Sequence, residues 1–182
     1  SMYDGPSAMA EAALLALRKT KRSRVIVSGA AHPQWREVVR TYLSGIEAAL
    51  VETPLSGGVT SLQGLLSAED HETACLIVQQ PNFFGQLEDL DALREEASAC
   101  GALFIVAANP LALGLLKPPG EAGADIAVGD CQPLGIPLNY GGPYPGYFAV
   151  RGDLMRQMPG RPAGIAGAAE GRRGFPHTLQ AV

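Results

Sequence analysis

The sequence predicts an α/β protein with three layers, in which helices cover both faces of a mostly parallel sheet. Two observations support this prediction. Five short apolar runs of strand length follow one another along the chain, and segments with helical spacing lie between them. Strands that are apolar on both faces belong to parallel sheets that are covered on each side. A chain of 182 residues with 47% hydrophobic residues is long enough to bury such a core as one unit.

The first half of the chain alternates helix and strand. Helix-forming residues are dense from Met9 to Leu17, and Pro6 just before them suits a first helical turn, where its missing N–H costs nothing. The segments expected next are a strand at 24–28, a helix at 33–44, a strand at 48–52, a short helix at 59–66 and a strand at 74–78. Trp35 lies on the apolar face of the second helix, which predicts a core position.

The second half contains more turns and fewer helices. The remaining elements are a helix at 87–99 and strands at 103–106 and 126–128. The last apolar run, 146–150, follows a Gly/Pro-rich loop instead of a helix, which makes it a candidate for an antiparallel strand. After Pro159 the pattern gives way to Gly-, Ala- and Arg-rich sequence. We therefore expect a folded core at 1–158 and a tail at 159–182 that leads towards a missing C-terminal domain.

Composition argues against several classes of function. The net charge is −4, and the one basic cluster runs only from Arg18 to Arg24, so nucleic acid is not an expected partner. No apolar stretch approaches the ~20 residues of a membrane span, and no signal peptide is visible, so we expect a cytoplasmic protein. The cysteines Cys75, Cys100 and Cys131 form no CxxC pair, which favours reduced thiols in the core.

The polar residues that follow the predicted strands are mostly neutral. Ligands of open parallel sheets bind where the strands end, so these segments are the ones to inspect. They contain His32, Gln80, Asn82, Asn109, Asp130, Gln132, Asn139 and Tyr140. No set of His, Cys, Asp and Glu has metal-ligand spacing, and neither a GxSxG nor a P-loop motif is present, so we expect no metal site. These residues alone indicate no enzyme class.

Several longer motifs resemble one known family. Those at 1–8, 109–120, 123–126, 130–143, 158–161, 171–175 and 178–180 are similar to segments of glycine dehydrogenase (decarboxylating), the P-protein of the glycine cleavage system. The most specific is Asp130-Cys-Gln-Pro-Leu-Gly-Ile-Pro-Leu-Asn-Tyr-Gly-Gly-Pro143. The resemblance implies the large domain of an aminotransferase-like, fold-type-I pyridoxal phosphate (PLP) enzyme. It covers essentially the whole chain.

The resemblance also implies partners and a cofactor. The family decarboxylates glycine and passes the aminomethyl group to the lipoyl arm of the H-protein. In many prokaryotes it is split into an alpha and a beta subunit, and beta carries the PLP lysine. We therefore expect a PLP-bearing beta subunit and the lipoyl H-protein as partners of an alpha-type chain, which itself binds no cofactor. Whether the parent protein is a split alpha subunit or the N-terminal half of a fused one stays open.

PLP chemistry requires a lysine for the Schiff base and a carboxylate at the pyridinium nitrogen. The chain has three lysines, Lys19, Lys21 and Lys117, and none lies in the matching motif. Alignment on Ile136-Pro137 and the following Gly-Gly-Pro places Gln132 at the lysine position. The stretch 103–116 contains no Asp or Glu. Both absences match the alpha type, so we expect no catalytic residue in this chain and no activity from it alone.

The Gly-Gly-Pro loop is the segment most suited to a cofactor contact. Gly141, Gly142 and Pro143 are expected to reach the phosphate of the partner's PLP, because glycines allow close backbone approach. A plain turn between strands is the alternative. Two roles of Arg161 stay open. It either contacts the substrate carboxylate or the partner subunit, or it is an ordinary surface arginine.

Three residues nearer the N-terminus are expected to be remnants of a cofactor site. Gly5 and Ser7 lie in a turn that opens a helix, and the turn is either an anion site or merely a capped helix start. His32 matches the beta-type histidine that lies over the PLP ring, but a structural role is favoured here.

Two rival functions remain at this stage. One is a self-sufficient PLP enzyme, such as an aminotransferase or desulfurase, and the lysine count argues against it. The other is a stand-alone anion-binding α/β module that uses the turn at Asp4. We also expect the chain to self-associate, because fold-type-I subunits bury large apolar interfaces.

Overall fold

The computed structural model describes residues 2–61, 70–140, 144–160, 166–167 and 173–174. The helices are α1 (Gly5–Thr20), α2 (Pro33–Leu43) and α3 (Leu90–Ala99). The strands are β1 (Arg24–Val27), β2 (Ala49–Glu52), β3 (Leu55–Ser56), β4 (Val59–Thr60), β5 (Thr73–Gln80), β6 (Leu103–Ala108), β7 (Ile126–Asp130), β8 (Gly146–Val150), β9 (Ala166–Gly167) and β10 (Arg173–Gly174).

One six-stranded sheet organises the fold, with the strand order β2-β1-β5-β6-β7-β8. The first five of these strands are parallel, and β8 pairs antiparallel with β7. The mostly parallel sheet is therefore confirmed, and so is the antiparallel strand expected at 146–150. The described residues between β7 and β8 include only a 3-10 turn, Gln132–Leu134. Without a helical crossover, the returning strand runs antiparallel.

Helices cover both faces of the sheet, which confirms the three layers. Alternate side chains of the strands point to opposite faces. Val25, Ile77 and Ile105 pack with α1 and α2, while Ile26, Leu76 and Phe104 pack with α3. Most of the buried positions on α1 are alanines, and small side chains let its backbone approach the sheet closely. This helix contacts five strands of the main sheet and forms the centre of the larger core.

The short helix predicted at 59–66 is wrong where it can be checked. Val59 and Thr60 form β4, which pairs antiparallel with β3, and 62–66 lie outside the described residues. Two adjacent glycines, Gly57 and Gly58, have positive φ angles and make the tight turn of this hairpin. The buried Thr60 is then fixed by distant partners, because its N–H donates to Glu88 and its hydroxyl contacts Ser28.

One helix boundary also differs from the prediction. The third helix begins at Leu90 instead of 87, because the Asp89 side chain accepts the Ala92 N–H and caps it there. Between β6 and β7 the regular structure is only a 3-10 turn, Ala112–Gly114. The remaining helices and strands predicted within the described residues are confirmed to within a few residues.

The cysteines and Trp35 partly depart from the expected core positions. Cys75 and Cys100 are buried, and burial raises the pKa of the Cys75 thiol. Cys131 is only half-buried, because it lies at the end of β7 where the chain turns into a loop. Trp35 is also half-buried, since one side of its ring packs on the core and the other faces a cavity.

Among the described residues, no helix is long and apolar enough to span a membrane. The division into a core at 1–158 and a tail at 159–182 stays a prediction.

Candidate functional site

A cavity of about 260 Å³ opens at the carboxyl edge of the parallel strands. Open α/β sheets bind ligands at this edge. Its lining comes from the ends of four strands or the loops that follow them, and from α2. The lining residues are His32, Trp35, Gln79, Ala107, Ala108, Asn109, Asp130, Gln132 and Pro133. Four polar residues singled out in the sequence, His32, Asn109, Asp130 and Gln132, are thus brought together. Gln80 and Asn82 are buried in a separate network with Glu88.

His32 is held in place on both its backbone and its ring. Its backbone N–H donates to Oε1 of Gln79 at 2.7 Å, and its Nδ1 accepts the N–H of Gln34 at 3.2 Å. The ring meets the edge of Phe83, with ring centroids 5.0 Å apart. Desolvation by burial, with the nearby Arg36 charge, lowers the pKa of His32. The ring is therefore neutral near pH 7, with its proton on Nε2 because Nδ1 is an acceptor.

Asp130 and Gln132 form the wall of the cavity beyond β7. Oδ1 of Asp130 accepts the backbone N–H of Gln132 at 2.6 Å, which begins the 3-10 turn there. The side-chain amide of Gln132 forms no hydrogen bond within the described part of the chain. Asp130 is the carboxylate of the lining, and from sequence it was named among the polar residues without being assigned to a site. The available signal was that Asp130 follows an apolar run and lies two residues before the position predicted for the lysine.

Asn109, directly after β6, provides a side-chain amide to the cavity. Oδ1 of Asn109 accepts the N–H of Leu111 at 3.0 Å, and the Asn109 backbone N–H donates to Gln80 at 3.1 Å. An uncharged amide does not stabilise a protonated pyridinium nitrogen.

All three lysines lie among the described residues, and none lines the cavity. Lys19 is in the last turn of α1, and Lys21 caps the same helix end with a left-handed backbone. Lys117 pairs with Asp91 at 2.8 Å in an exposed loop. The donor set of the cavity therefore does not fit PLP bound as a Schiff base.

The turn that opens α1 is a closed capping box. The N–H of Ser7 donates to the Asp4 side chain at 2.8 Å, and the Asp4 N–H donates to Oγ of Ser7 at 3.1 Å. Pro6 has no N–H to offer. The Ser7 and Ala8 N–H groups already donate to Asp4, and the Asp4 carboxylate lies at the positive end of the helix. This geometry favours the capped helix start over an anion site.

Gly5 has a packing role instead. A Cβ atom there would overlap the Trp35 ring, with Cζ2 only 2.6 Å away, and would be 3.0 Å from Cβ of Asp130. The absence of a side chain thus lets α1 and the cavity wall touch.

Gly141, Gly142, Pro143 and Arg161 lie outside the described residues. Their predicted contacts stay predictions. The described part of the chain contains no group of three or more His, Cys, Asp or Glu side chains placed to hold a metal ion.

Large apolar side chains are exposed in the loops at the same edge of the sheet. Phe83 and Phe84 follow β5, Leu111 follows β6, and Leu138 and Tyr140 follow β7. Leu138 is 84% exposed, although its side chain is as apolar as those of the core. Exposed apolar side chains in this number are typical of surfaces that contact other protein.

Comparison with known proteins gives one consistent family. The family model described as "Glycine cleavage system P-protein" matches residues 1–182. The probable glycine dehydrogenase (decarboxylating) subunit 1 of Geobacillus thermodenitrificans is 55% identical over 181 residues, and that of Bacillus velezensis is 52% identical over 181. Each match covers 100% of this chain and 40% of the relative. The chain therefore spans about two fifths of the length of these relatives.

Solved structures agree with the sequence relatives. The inhibitor-bound crystal structure of glycine decarboxylase (P-protein) of the glycine cleavage system matches with a TM-score of 0.91 and 50% identity, over 100% of this chain and 40% of that one. The sphingosine-1-phosphate lyase of Burkholderia pseudomallei matches with a TM-score of 0.64 and 17% identity, over 96% of this chain and 42% of that one. At that identity the second match shows the fold alone, and it is a fold of PLP-dependent enzymes.

Proposed function

Because the chain belongs to the glycine cleavage system P-protein family, we propose that it is a segment of the glycine dehydrogenase (decarboxylating) subunit that carries no cofactor. Its role is to support a partner subunit that binds PLP and performs the chemistry. The relatives are named subunit 1, and this name implies a second subunit. In the complex, glycine is decarboxylated on the partner's PLP, and the aminomethyl group passes to the lipoyl arm of the H-protein.

The main support for this proposal is Gln132, whose side-chain amide takes the place predicted for the Schiff-base lysine. Gln132 lines a cavity at the edge of the sheet where the fold binds ligands, but an amide nitrogen does not form an imine. The three lysines are held elsewhere, one of them in an ion pair with Asp91. The strand end that should meet the pyridinium nitrogen carries Asn109. Two separate requirements of PLP chemistry are thus unmet at the same cavity.

A titration with PLP tests the proposal directly. We expect the purified chain to show no saturable visible band of a lysine adduct, and borohydride reduction to trap only the non-saturating labelling that PLP gives with exposed amines. The Gln132→Lys variant provides a lysine at the cavity and is the positive control for detection of an adduct. A saturable one-to-one adduct of the unmodified chain at one of Lys19, Lys21 or Lys117 would contradict the proposal and favour a self-sufficient PLP enzyme.

Activity measurements provide the second test. The chain alone is expected to catalyse no exchange between glycine carboxyl and bicarbonate. The Gln132→Lys variant is expected to stay inactive too, because Asn109 still occupies the position of the carboxylate. Exchange activity that co-elutes with the unmodified chain and needs no partner would refute the proposed role.

The loop Gly141-Gly142-Pro143 is proposed to lie beside the phosphate of the partner's PLP. Adjacent glycines leave backbone N–H groups open to an anion. In the full-length subunit, Gly142→Val should weaken PLP retention by the partner, measured by equilibrium dialysis, more than it lowers the thermal stability of the subunit. Gly45→Val, at an exposed turn with nothing near its Cβ position, is the matched control. Equal PLP affinity in both complexes would show that the loop is only a turn.

A further inference from the structure

The cavity contains hydrogen-bonding groups that a purely supporting role does not require. Gln79 uses its Oε1 for the His32 N–H, and Asn109 uses its Oδ1 for the Leu111 N–H. Both side-chain NH2 groups are left without an acceptor in the described part of the chain. The His32 ring also carries a proton on Nε2, because its Nδ1 accepts the Gln34 N–H. Three donors therefore belong to side chains that line the same cavity.

The same lining also has the complementary chemistry. Asp130 uses Oδ1 for the Gln132 N–H, and its Oδ2 has no donor among the described residues. No described lysine or arginine forms a salt bridge with this carboxylate. Trp35 adds an aromatic ring to the same lining. A carboxylate and an aromatic face together attract an ammonium group.

The orientations of these groups are fixed by contacts within the protein. The backbone of His32 holds the Gln79 amide, and the turns after β6 and β7 hold Asn109 and Asp130 through their own backbone N–H groups. Such side chains lose little further freedom when a ligand binds. The side chains that carry the donors and the carboxylate are therefore held in place before a ligand binds.

We propose that this cavity reversibly binds a small molecule that carries an ammonium group and a carboxylate close together, as in a free α-amino acid. The ammonium lies against Asp130 and Trp35, and the carboxylate accepts from the amide groups of Gln79 and Asn109. No covalent bond forms, because the wall provides Gln132 instead of a lysine. This binding goes beyond the proposed supporting function and does not depend on it.

The size of the cavity agrees with such a ligand. Sites for drug-sized molecules have volumes of about 300–1,000 Å³. A cavity of about 260 Å³ is just below that range and suits a molecule with few heavy atoms. The lining carries one carboxylate and a neutral imidazole, so a ligand with only negative charge is disfavoured.

L-Alanine, ethylammonium and propionate form a matched set of probes, because each of the last two lacks one charged group of the first. The chain has a single tryptophan, Trp35, and it lines the cavity, so its fluorescence reports on the site. We expect saturable quenching or a shift by L-alanine at millimolar concentration, weaker binding of ethylammonium, and no binding of propionate. Calorimetry on the 182-residue chain gives the stoichiometry.

Asp130→Asn is the decisive variant, because the Asn side-chain oxygen still accepts the Gln132 N–H while the charge is lost. L-Alanine affinity should fall about ten- to a hundredfold, as expected for a hydrogen bond to a charged group. Asp91→Asn, an exposed carboxylate paired with Lys117, is the control and should leave the affinity unchanged. No saturable response to L-alanine up to about 100 mM, well above the ~1 mM Kd of a weak ligand, would overturn the proposal. Equal binding of L-alanine and propionate, or full affinity in Asp130→Asn, would also overturn it.

Discussion

Replacement of Gly5 by alanine tests the packing between α1 and the cavity wall. The added methyl group would overlap the Trp35 ring, with Cζ2 at 2.6 Å, and would crowd Cβ of Asp130 at 3.0 Å. The half-buried indole ring packs on the core and also lines the cavity, so it can be displaced only with loss of its core contacts. Inserting one methyl group into a filled site costs about 1–3 kcal/mol. The higher helix propensity of alanine offsets at most about 1 kcal/mol of this.

We therefore expect Gly5→Ala to lower the free energy of unfolding by about 1–2 kcal/mol in a urea titration. The native fluorescence of Trp35 should change as well, since the ring is displaced. Gly45→Ala is the control, because no heavy atom lies within 4 Å of its Cβ position and its φ angle is not in the left-handed region. This control should be neutral or slightly stabilising. Gly5→Ala with the stability and emission of the unmodified chain would refute the described contact.

Three further predictions concern the remaining features. Burial alone would raise the pKa of Asp70, but hydrogen bonds from Thr73, from the Glu72 N–H and from Arg24 outweigh it and hold the pKa at about 2 instead of 3.8. That lowering corresponds to roughly 2 kcal/mol of stability, present above pH 4 and lost as the pH falls towards 2; urea titrations of Asp70→Asn should show this loss at pH 7 and a flatter acid dependence. Gly129→Ala should cost about 3 kcal/mol in the same assay, because its methyl group would overlap the Ala108 carbonyl and the Tyr147 ring; unchanged stability would contradict this close approach. The apolar side chains exposed at the carboxyl edge predict self-association, and light scattering from a monodisperse monomer at high protein concentration would contradict it.

The alternation of helix and strand was predictable because it depends on local patterns. The run 74–78 within β5 is apolar at every position, as expected for a strand covered on both faces. The antiparallel direction of β8 followed from the Gly/Pro-rich loop before it. The helix predicted at 59–66 is wrong at Val59 and Thr60, and this error shows where local patterns are insufficient. Thr60 lies in β4 because Glu88 and Ser28 satisfy its polar groups, and both partners are distant in sequence.

The prediction that this chain forms no Schiff base rests on its residues alone. A Schiff base needs an amine, and an inventory of three lysines excludes the matching position without any coordinates. The resemblance to the P-protein family rested on long motifs and needed no coordinates either.

The state of each polar group was decided only by the tertiary structure. From sequence alone, the turn at Asp4 was equally compatible with an anion site and with a capped helix start. The reciprocal hydrogen bonds between Asp4 and Ser7 favour the capped helix start. Periodicity assigned Trp35 to the core, yet its ring lines the cavity because α1 approaches it at Gly5. Asp130 comes to line the same cavity as Gln79 and Asn109 only when β5, β6 and β7 lie side by side. Local spacing determines which backbone forms, but hydrogen-bond partners and cavity walls come from segments far apart in the chain, and their meeting depends on the sheet.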